Sequence, residues 1–270
     1  MKKLTLREIQ QTELGIMLEF DRISRANGLK YSLFAGTMLG AVRHRGFIPW
    51  DDDIDITMPR PDYERLVELG RSPGFWPEHL HMLCFEEGTL DAPFMKILDT
   101  RTVMSEKNYK ERNVGSLWID IFPVDSLPEK REDKVKYYKK CLFLSKLNVA
   151  AAARTGFGSS GLKIVLKAVF IKPLALLIGR KRIAALLKKM ALKTSYGSTP
   201  ECGLTVWGYD GPCQALKISE YEDITELEFE GHMLSCTAAW DKNLTGIFGD
   251  YMQLPPEGER ISHDMEAYLL

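Results

Sequence analysis

Acidic residues vanish from the middle of this chain. Between positions 134 and 200 there is no Asp or Glu, while 15 of the 36 Lys and Arg fall there. The formal charge of −1 therefore averages two unlike parts, because the remainder carries 36 − 15 = 21 basic against 37 acidic residues, a balance of −16. Charge blocks of this kind bear on partners more than on fold. Cysteine is scarce as well. Cys84, Cys141, Cys202, Cys213 and Cys236 are odd in number, far apart, and form no C-x-x-C pair. That argues against a disulfide framework and a structural zinc site, and for a reducing compartment. No run of 18 apolar residues occurs, so no spanning helix is expected, and Met1-Lys2-Lys3-Leu4-Thr5 lacks the apolar stretch of a secretory signal. Repeats and low-complexity tracts are absent. With 270 residues, 45% of them hydrophobic, the chain can form one large domain or two modest ones around a real core.

What the chain does have is a run of carboxylates in an apolar frame: Trp50-Asp51-Asp52-Asp53-Ile54-Asp55-Ile56. Adjacent carboxylates repel one another and are costly to desolvate, and a metal ion relieves both costs. If residues 53–58 form a strand, Asp53 and Asp55 share one side and Ile54 and Ile56 the other. Two oxygen ligands on one face suit Mg2+ (or Mn2+), which binds through one or two carboxylates plus substrate phosphates. Upstream, an apolar strand candidate at 31–34 runs into Ala35-Gly36-Thr37, a small-residue turn opening a short helix whose free N–H groups suit a phosphate. That helix ends on Arg43, His44 and Arg45. Asp51 and Asp52 read equally well as a solvated loop. An EF-hand is set aside, because its central Gly and late Glu are missing.

Residues 5–27 read as an amphipathic helix, with Thr5 and Glu8 as a capping box, Asn27-Gly28 as its stop, and Ile9, Leu14, Ile16, Met17, Phe20 and Ile23 on its buried face. Arg60-Pro61-Asp62 opens another helix that stops at Gly70. Strand-like runs follow at 81–85, 94–98, 102–105 and 117–122. The pattern fits a mixed α/β domain with helices packed on a sheet. Two lone charges sit inside the strand runs. Asp120 is either exposed on an edge strand or a third site carboxylate; Lys96 is either a snorkelling surface lysine or a phosphate contact. Residues 128–150 and 161–193 read as helices around a Gly- and Ser-rich link at 155–161, with Pro173 expected to kink or divide the second. The second helical region mixes apolar residues with Lys and Arg alone. It suits an anionic membrane surface, or equally a helix packed on the domain with a solvated basic face. Nucleic acid is not expected as a partner, since no binding module accompanies the charge. After residue 196 the chain is turn-rich and acidic, with a turn around Tyr209-Asp210-Gly211-Pro212 and a short helix at 240–248 stopping at Gly249. His263 reads more readily as structural than catalytic. The organisation expected is a core at 1–127, a basic helical region at 128–195 and a segment at 196–270 packing on the core.

Three carboxylates with a Gly-Thr turn point to metal-dependent chemistry on a phosphate ester or anhydride. Gly36, Thr37, Asp53, Asp55 and Asp120 resemble the pattern of the nucleotidyltransferase superfamily. The run over 34–55, with Gly36-Thr37-Met38-Leu39-Gly40, Arg43-His44-Arg45-Gly46 and Pro49-Trp50-Asp51-Asp52-Asp53-Ile54-Asp55, is more specific and resembles the signature of the LicD family. Members are phosphocholine transferases of bacterial cell-surface glycans, related to fukutin-type ribitol-phosphate transferases. Ile119-Asp120-Ile121-Phe122-Pro123 and Gly249-Asp250-Tyr251-Met252-Gln253-Leu254-Pro255-Pro256 resemble it too. The resemblance implies an α/β (α+β) fold, a nucleotidyltransferase-like mixed sheet flanked by helices, with the basic helical region added. It implies CDP-choline as donor and, as acceptor, a sugar hydroxyl on a lipid-linked teichoic-acid or lipopolysaccharide precursor. The setting would be cytoplasmic, peripheral on the bacterial membrane. On this reading Asp53 and Asp55 hold Mg2+ or Mn2+, and Asp120 binds metal or takes the acceptor's proton. Gly36 and Thr37 hold phosphates, and Arg43, Arg45 and Lys96 offset leaving-group charge. Asp52, Trp50 and His263 are secondary candidates. A choline pocket calls for aromatic faces, for which Trp50, Tyr31, Trp118, Trp207 and Tyr209 are available. Three other readings stand beside it: transfer of phosphoethanolamine, glycerol phosphate or ribitol phosphate from the matching CDP donor, transfer of NMP to a small hydroxyl compound, and a membrane-bound binding protein without activity.

Overall fold

The structure, a computed structural model, describes residues 1–105, 113–153, 171–207, 214–260, 262 and 265–270. A short strand β1 (Lys2–Lys3) leads into α1 (Leu6–Ala26), which starts where Thr5 and Glu8 satisfy each other's backbone donors in a capping box. The helix ends at Asn27, and Gly28 follows at φ 63°, a conformation that costs glycine nothing. Then come β2 (Ser32–Leu33), α2 (Ala35–His44), β3 (Asp55–Pro59), α3 (Arg60–Gly70), β4 (Leu80–Cys84), β5 (Met95–Asp99), β6 (Thr102–Ser105) and β7 (Trp118–Ser126). Three helices follow, α4 (Arg131–Ala152), α5 (Lys172–Ile178) and α6 (Arg180–Ala191). The remainder holds β8 (Glu201–Leu204), β9 (Leu216–Lys217), α7 (Ile218–Tyr221), β10 (Ile224–Phe229), β11 (His232–Thr237), α8 (Trp240–Phe248) and β12 (Glu266–Leu269). The result is a mixed α/β architecture, as the sequence predicts.

The central sheet runs β2-β3-β7-β5-β4, with β8 beside the far end of β7 and β9 beyond it. Among the described residues only the β3–β7 pairing in it is parallel, and its register sets Asp55 against Asp120. β5 runs antiparallel on the other side of β7 and sets Lys96 against Asp120. Side-chain alternation divides the sheet cleanly. Ile54, Ile56, Met58, Ile97, Ile119 and Ile121 join Ile16, Met17 and Phe20 of α1 in one core. Phe94, Leu98, Trp118, Phe122 and Leu204 form a second with Ile9 and Phe34. Asp55, Lys96 and Asp120 have the parity of that second face.

Several expectations need correction. β7 runs past Pro123 to Ser126, because Val124, Asp125 and Ser126 find partners on β8 that outweigh the one donor proline withholds. Pro173 sits in the first turn of α5, where no N–H is required, and the residues before it from 154 to 170 lie outside the described residues. The break in the described part falls at Gly179, at φ 86°. Residues 155–161, the start of the helix expected at 161, and the turn at 209–212 lie outside the described residues. The sequence reading passed over the β10–β11 hairpin, whose two-residue turn, Glu230-Gly231, has both φ angles positive at 51° and 80°. α4, α5 and α6 share a small core of their own, Cys141, Leu147, Ala175, Ile183 and Leu187. No helix among the described residues is long and apolar enough to cross a membrane.

Candidate active site

Two adjacent ladders bring a row of three charges together. Lys96, 4% exposed, places its Nζ 2.7 and 3.0 Å from the two carboxylate oxygens of Asp120, and Trp118 Nε1 donates to Oδ2 at 3.0 Å. The ammonium also lies 4.1 Å from the Trp118 ring centroid and 5.4 Å from that of Phe94. Lys96 is therefore no surface lysine, and Asp120 lies on a central strand, not an edge. Asp53 precedes β3 by two residues, so the strand starts later than expected; Ile54 and Ile56 are nonetheless buried as predicted. Burial, then the charges of Asp53 and Asp120, hold the Asp55 carboxyl well above the usual range. Asp52 is 2% exposed, which removes the solvated-loop reading for it. Beside it a recess of about 240 Å3 opens, lined also by Lys3, Leu4, Leu6, Ile9 and Met265.

The opening of α2 reaches this row directly. Phe34 is its N-cap, and Ala35, at φ 44°, begins the helix. The Asp55 N–H donates to Thr37 Oγ1 at 2.8 Å, which ties the first turn of α2 to the start of β3 and leaves the threonine proton to donate elsewhere. A Cβ at Gly36 would stand 2.8 Å from Asp51 Oδ2, so a side chain there would push the Asp51 carboxylate aside. A carboxylate thus already lies at this helix N-terminus, where the orientation of the backbone favours an anion.

Arg43 and Arg45 lie elsewhere. A ten-residue helix is about 15 Å long, and they sit at its other end. Arg43 donates to the Tyr251 carbonyl at 2.8 Å and to His44 Nε2 at 3.0 Å, fastening the segment after Gly249 to α2. Arg45 is largely exposed, 3.8 Å from Glu228. Trp50 packs edge-on to His44 with the Arg260 guanidinium over its ring. Tyr31 is buried with its hydroxyl on Asp21, which takes it out of any choline cage. Trp118 lies under Lys96, and Trp207 is part-exposed against Phe94 and Phe122. His263 and Tyr209 lie outside the described residues. The row therefore gathers Gly36, Thr37, Asp53, Asp55, Asp120 and Lys96, and not the two arginines.

The sequence reading missed one acidic group. Glu13 of α1 is 1% exposed, and its Oε2 is buried with no hydrogen bond. Burial first, then the charges of Asp53, Asp52, Asp51 and Asp120, push its carboxyl well above the usual range. The signal was available: Glu13 continues the spacing of Ile9, Ile16, Met17 and Phe20, whereas Leu14, chosen for the buried face, is only partly buried. Gln10, one turn earlier, donates to the Asp51 carbonyl at 2.8 Å and holds α1 to the acidic segment.

Among the described residues, no group of three or more His, Cys, Asp or Glu side chains is placed so that it could hold a metal ion. The chemistry of the donor set still fits a hard divalent cation: every candidate ligand is a carboxylate oxygen, and the buried Glu13 Oε2 is unsatisfied.

A family model described as LicD/FKTN/FKRP, nucleotidyltransferase domain, matches residues 28–146. Over the whole of both chains, 278 aligned residues, the sequence is 33% identical to lipopolysaccharide cholinephosphotransferase LicD of Haemophilus influenzae. Shorter likenesses reach an uncharacterised protein of Rickettsia typhi, 33% identical over 26% of this chain and 25% of that one, and another of Rickettsia prowazekii, 41% identical over 20% of each.

Proposed function

This chain belongs to the LicD family of phosphotransferases, and from that premise we propose that it moves phosphocholine from CDP-choline to a sugar hydroxyl of a cell-surface glycan precursor, of the lipopolysaccharide or teichoic-acid type. The observation that carries the reading is the register of β3 against β7, which sets Asp55 beside Asp120 at the mouth of a glycine-lined helix start. The acceptor oxygen bonds to the choline-bearing phosphorus while the bond from that phosphorus to the bridging oxygen breaks, and CMP departs with that oxygen. Asp53, Asp55 and Asp120 would hold Mg2+ or Mn2+, which when bound supplies positive charge to the donor diphosphate and to the departing phosphate. Gly36 lets the donor approach the N–H groups of α2, and Thr37 offers its hydroxyl proton. Lys96 fixes Asp120 and neutralises one charge of the row, so that Asp120 is oriented before the acceptor arrives. A carboxylate of the row takes the hydroxyl proton.

A lipid-linked acceptor on a cytoplasmic membrane face agrees with the basic helical region. There Phe143 of α4, Leu174, Leu176 and Leu177 of α5 and Leu186 of α6 are exposed in a stretch free of acidic residues.

The test is CMP release with Mg2+ from CDP-choline, CDP-ethanolamine, CDP-glycerol and CDP-ribitol, with and without candidate glycans. CDP-choline should give the fastest turnover, and Asp55→Asn should reduce it by at least about a thousandfold with the fold intact. Near-normal turnover by Asp55→Asn would remove the catalytic assignment. Preference for another CDP donor would move the substrate, and pyrophosphate release from an NTP would move the reaction to nucleotidyl transfer.

A further inference from the structure

Two buried amide oxygens line one recess, and among the described residues neither meets a donor. Gln214, just before β9, is 2% exposed, and Asn243, on α8, is 6% exposed. Phe34, Thr57, Val124 and Leu204 wall the recess with them. Gln214 Nε2 donates to the Leu204 carbonyl at 3.4 Å, which fixes the orientation of that amide and leaves Oε1 without a partner; Asn243 Oδ1 has none either. The neighbouring hydroxyl protons are already spent. Tyr221 donates to Thr57 Oγ1 at 2.9 Å, Thr57 to the Ser32 carbonyl at 3.5 Å, and Thr237 to the Glu220 carbonyl at 2.9 Å. A buried carbonyl without a donor is costly, and here two are left open together.

The recess adjoins the charge row. The Phe34 N–H donates to the Asp55 carbonyl at 3.0 Å, and Phe34 is also the N-cap of α2. Thr57 follows Asp55 by two residues on the same face of β3, roughly 7 Å along the strand. The base of a nucleoside diphosphate stands one sugar away from its phosphates, so a donor held at the start of α2 can bring its base to this recess. Size sets what enters. The empty space is about 310 Å3 with its open side included, and only about 20 Å3 of it admits the centre of a water-sized group. A pyrimidine ring stays at the opening, whereas an amino group fits inside.

We propose that Gln214 and Asn243 read the base of the donor, their two carbonyl oxygens accepting the two N–H groups of the exocyclic amine of cytosine. The assignment rests on the CDP-dependent reading of this site. Uracil carries a carbonyl oxygen at the same ring position, so two acceptors would face a third. The pair therefore sets a preference for cytidine over uridine nucleotides and takes no part in the chemical step.

The test is calorimetric titration of the full chain with CMP and with UMP, each with Mg2+, for the wild type, Gln214→Met and Asn243→Leu, with folding checked by circular dichroism. The wild type should bind CMP at least about tenfold more tightly than UMP. Each variant should lose most of that preference, through weaker binding of CMP and little change for UMP. The two substitutions lie on different elements, so a variant that fails to fold leaves the other to decide. Equal binding of CMP and UMP by the wild type, with CMP still released from CDP-choline, would overturn the base assignment and leave the proposed reaction standing. A preference that the folded variants keep would also overturn it, and the recess would then hold solvent alone. Neither binding of CMP nor its release from CDP-choline would overturn the proposed reaction and this assignment together.

Discussion

Arg60 and Asp125 meet through two hydrogen bonds of 2.7 and 2.8 Å with side chains 5% and 2% exposed, and Thr205 Oγ1 donates to the same carboxylate at 3.1 Å. Removing one partner of such a pair strands the other charge in a low dielectric, whereas replacing both by apolar groups does not. Asp125→Ala should therefore cost about 3–5 kcal/mol, read from the urea midpoint, and the double change Arg60→Met/Asp125→Leu should recover most of that loss. A double variant as unstable as the single one would show that the pair stabilises by more than mutual compensation. Neither charge stood out in the sequence. Arg60 read as a helix opening, and Asp125 lay beyond the proline taken as the end of its strand. The candidate-site residues divide in the same way. Asp53, Asp55, Asp120 and Lys96 are legible because a charge inside an apolar strand run is conspicuous. Glu13 is not, because helix surfaces are full of glutamates and only its place on the buried stripe distinguishes it.

At the scale of elements, α2 depends on the segment that returns beneath it. Gly40 lies so close to the Gly46 carbonyl that a Cβ there would collide with backbone, which cannot swing aside as a side chain would. Gly40→Ala should destabilise the protein by about 1–3 kcal/mol, seen as a lower thermal midpoint, and should disturb the approach of the acidic segment that follows. An unchanged midpoint would mean that the segment moves freely against α2. Local chemistry made α1, α3 and α8 legible, through a capping box, an N-terminal proline and Gly249 respectively. The β10–β11 hairpin was equally marked by alternating residues around Glu230-Gly231 and was overlooked for want of an Asn-Gly or Asp-Gly turn. The pairing of β8 with β7 was not legible at all, because strands far apart in sequence declare no partner.

For the whole molecule, the uneven charge makes a prediction that owes nothing to catalysis. The protein should co-sediment with vesicles rich in phosphatidylglycerol at low salt and less so at high salt, each Lys or Arg near the surface adding about 1 kcal/mol. Leu174→Glu/Leu177→Glu should release it while CMP formation with a soluble acceptor continues, since both leucines are exposed on α5, outside the sheet that carries Asp55. Equal recovery with neutral vesicles, or no effect of the double change, would remove the membrane reading. The acid-free stretch was plain in the sequence. Which of its apolar residues face outward, Leu177 at 81% exposure and Ala175 at none, depended on how α5 seats against α4 and α6.

Strand β12 lies between β1 and β6, pairing Lys2 with Leu269 and Thr102 with the same residue from the other side. During synthesis the two outer strands must wait for a partner that emerges more than 150 residues after the second of them. Until then each offers an open backbone edge to any neighbouring chain, and the helix that follows β1 is anchored at one end only. Crowded, slow or interrupted translation should therefore harm this protein through the small outer sheet before it harms the large central one.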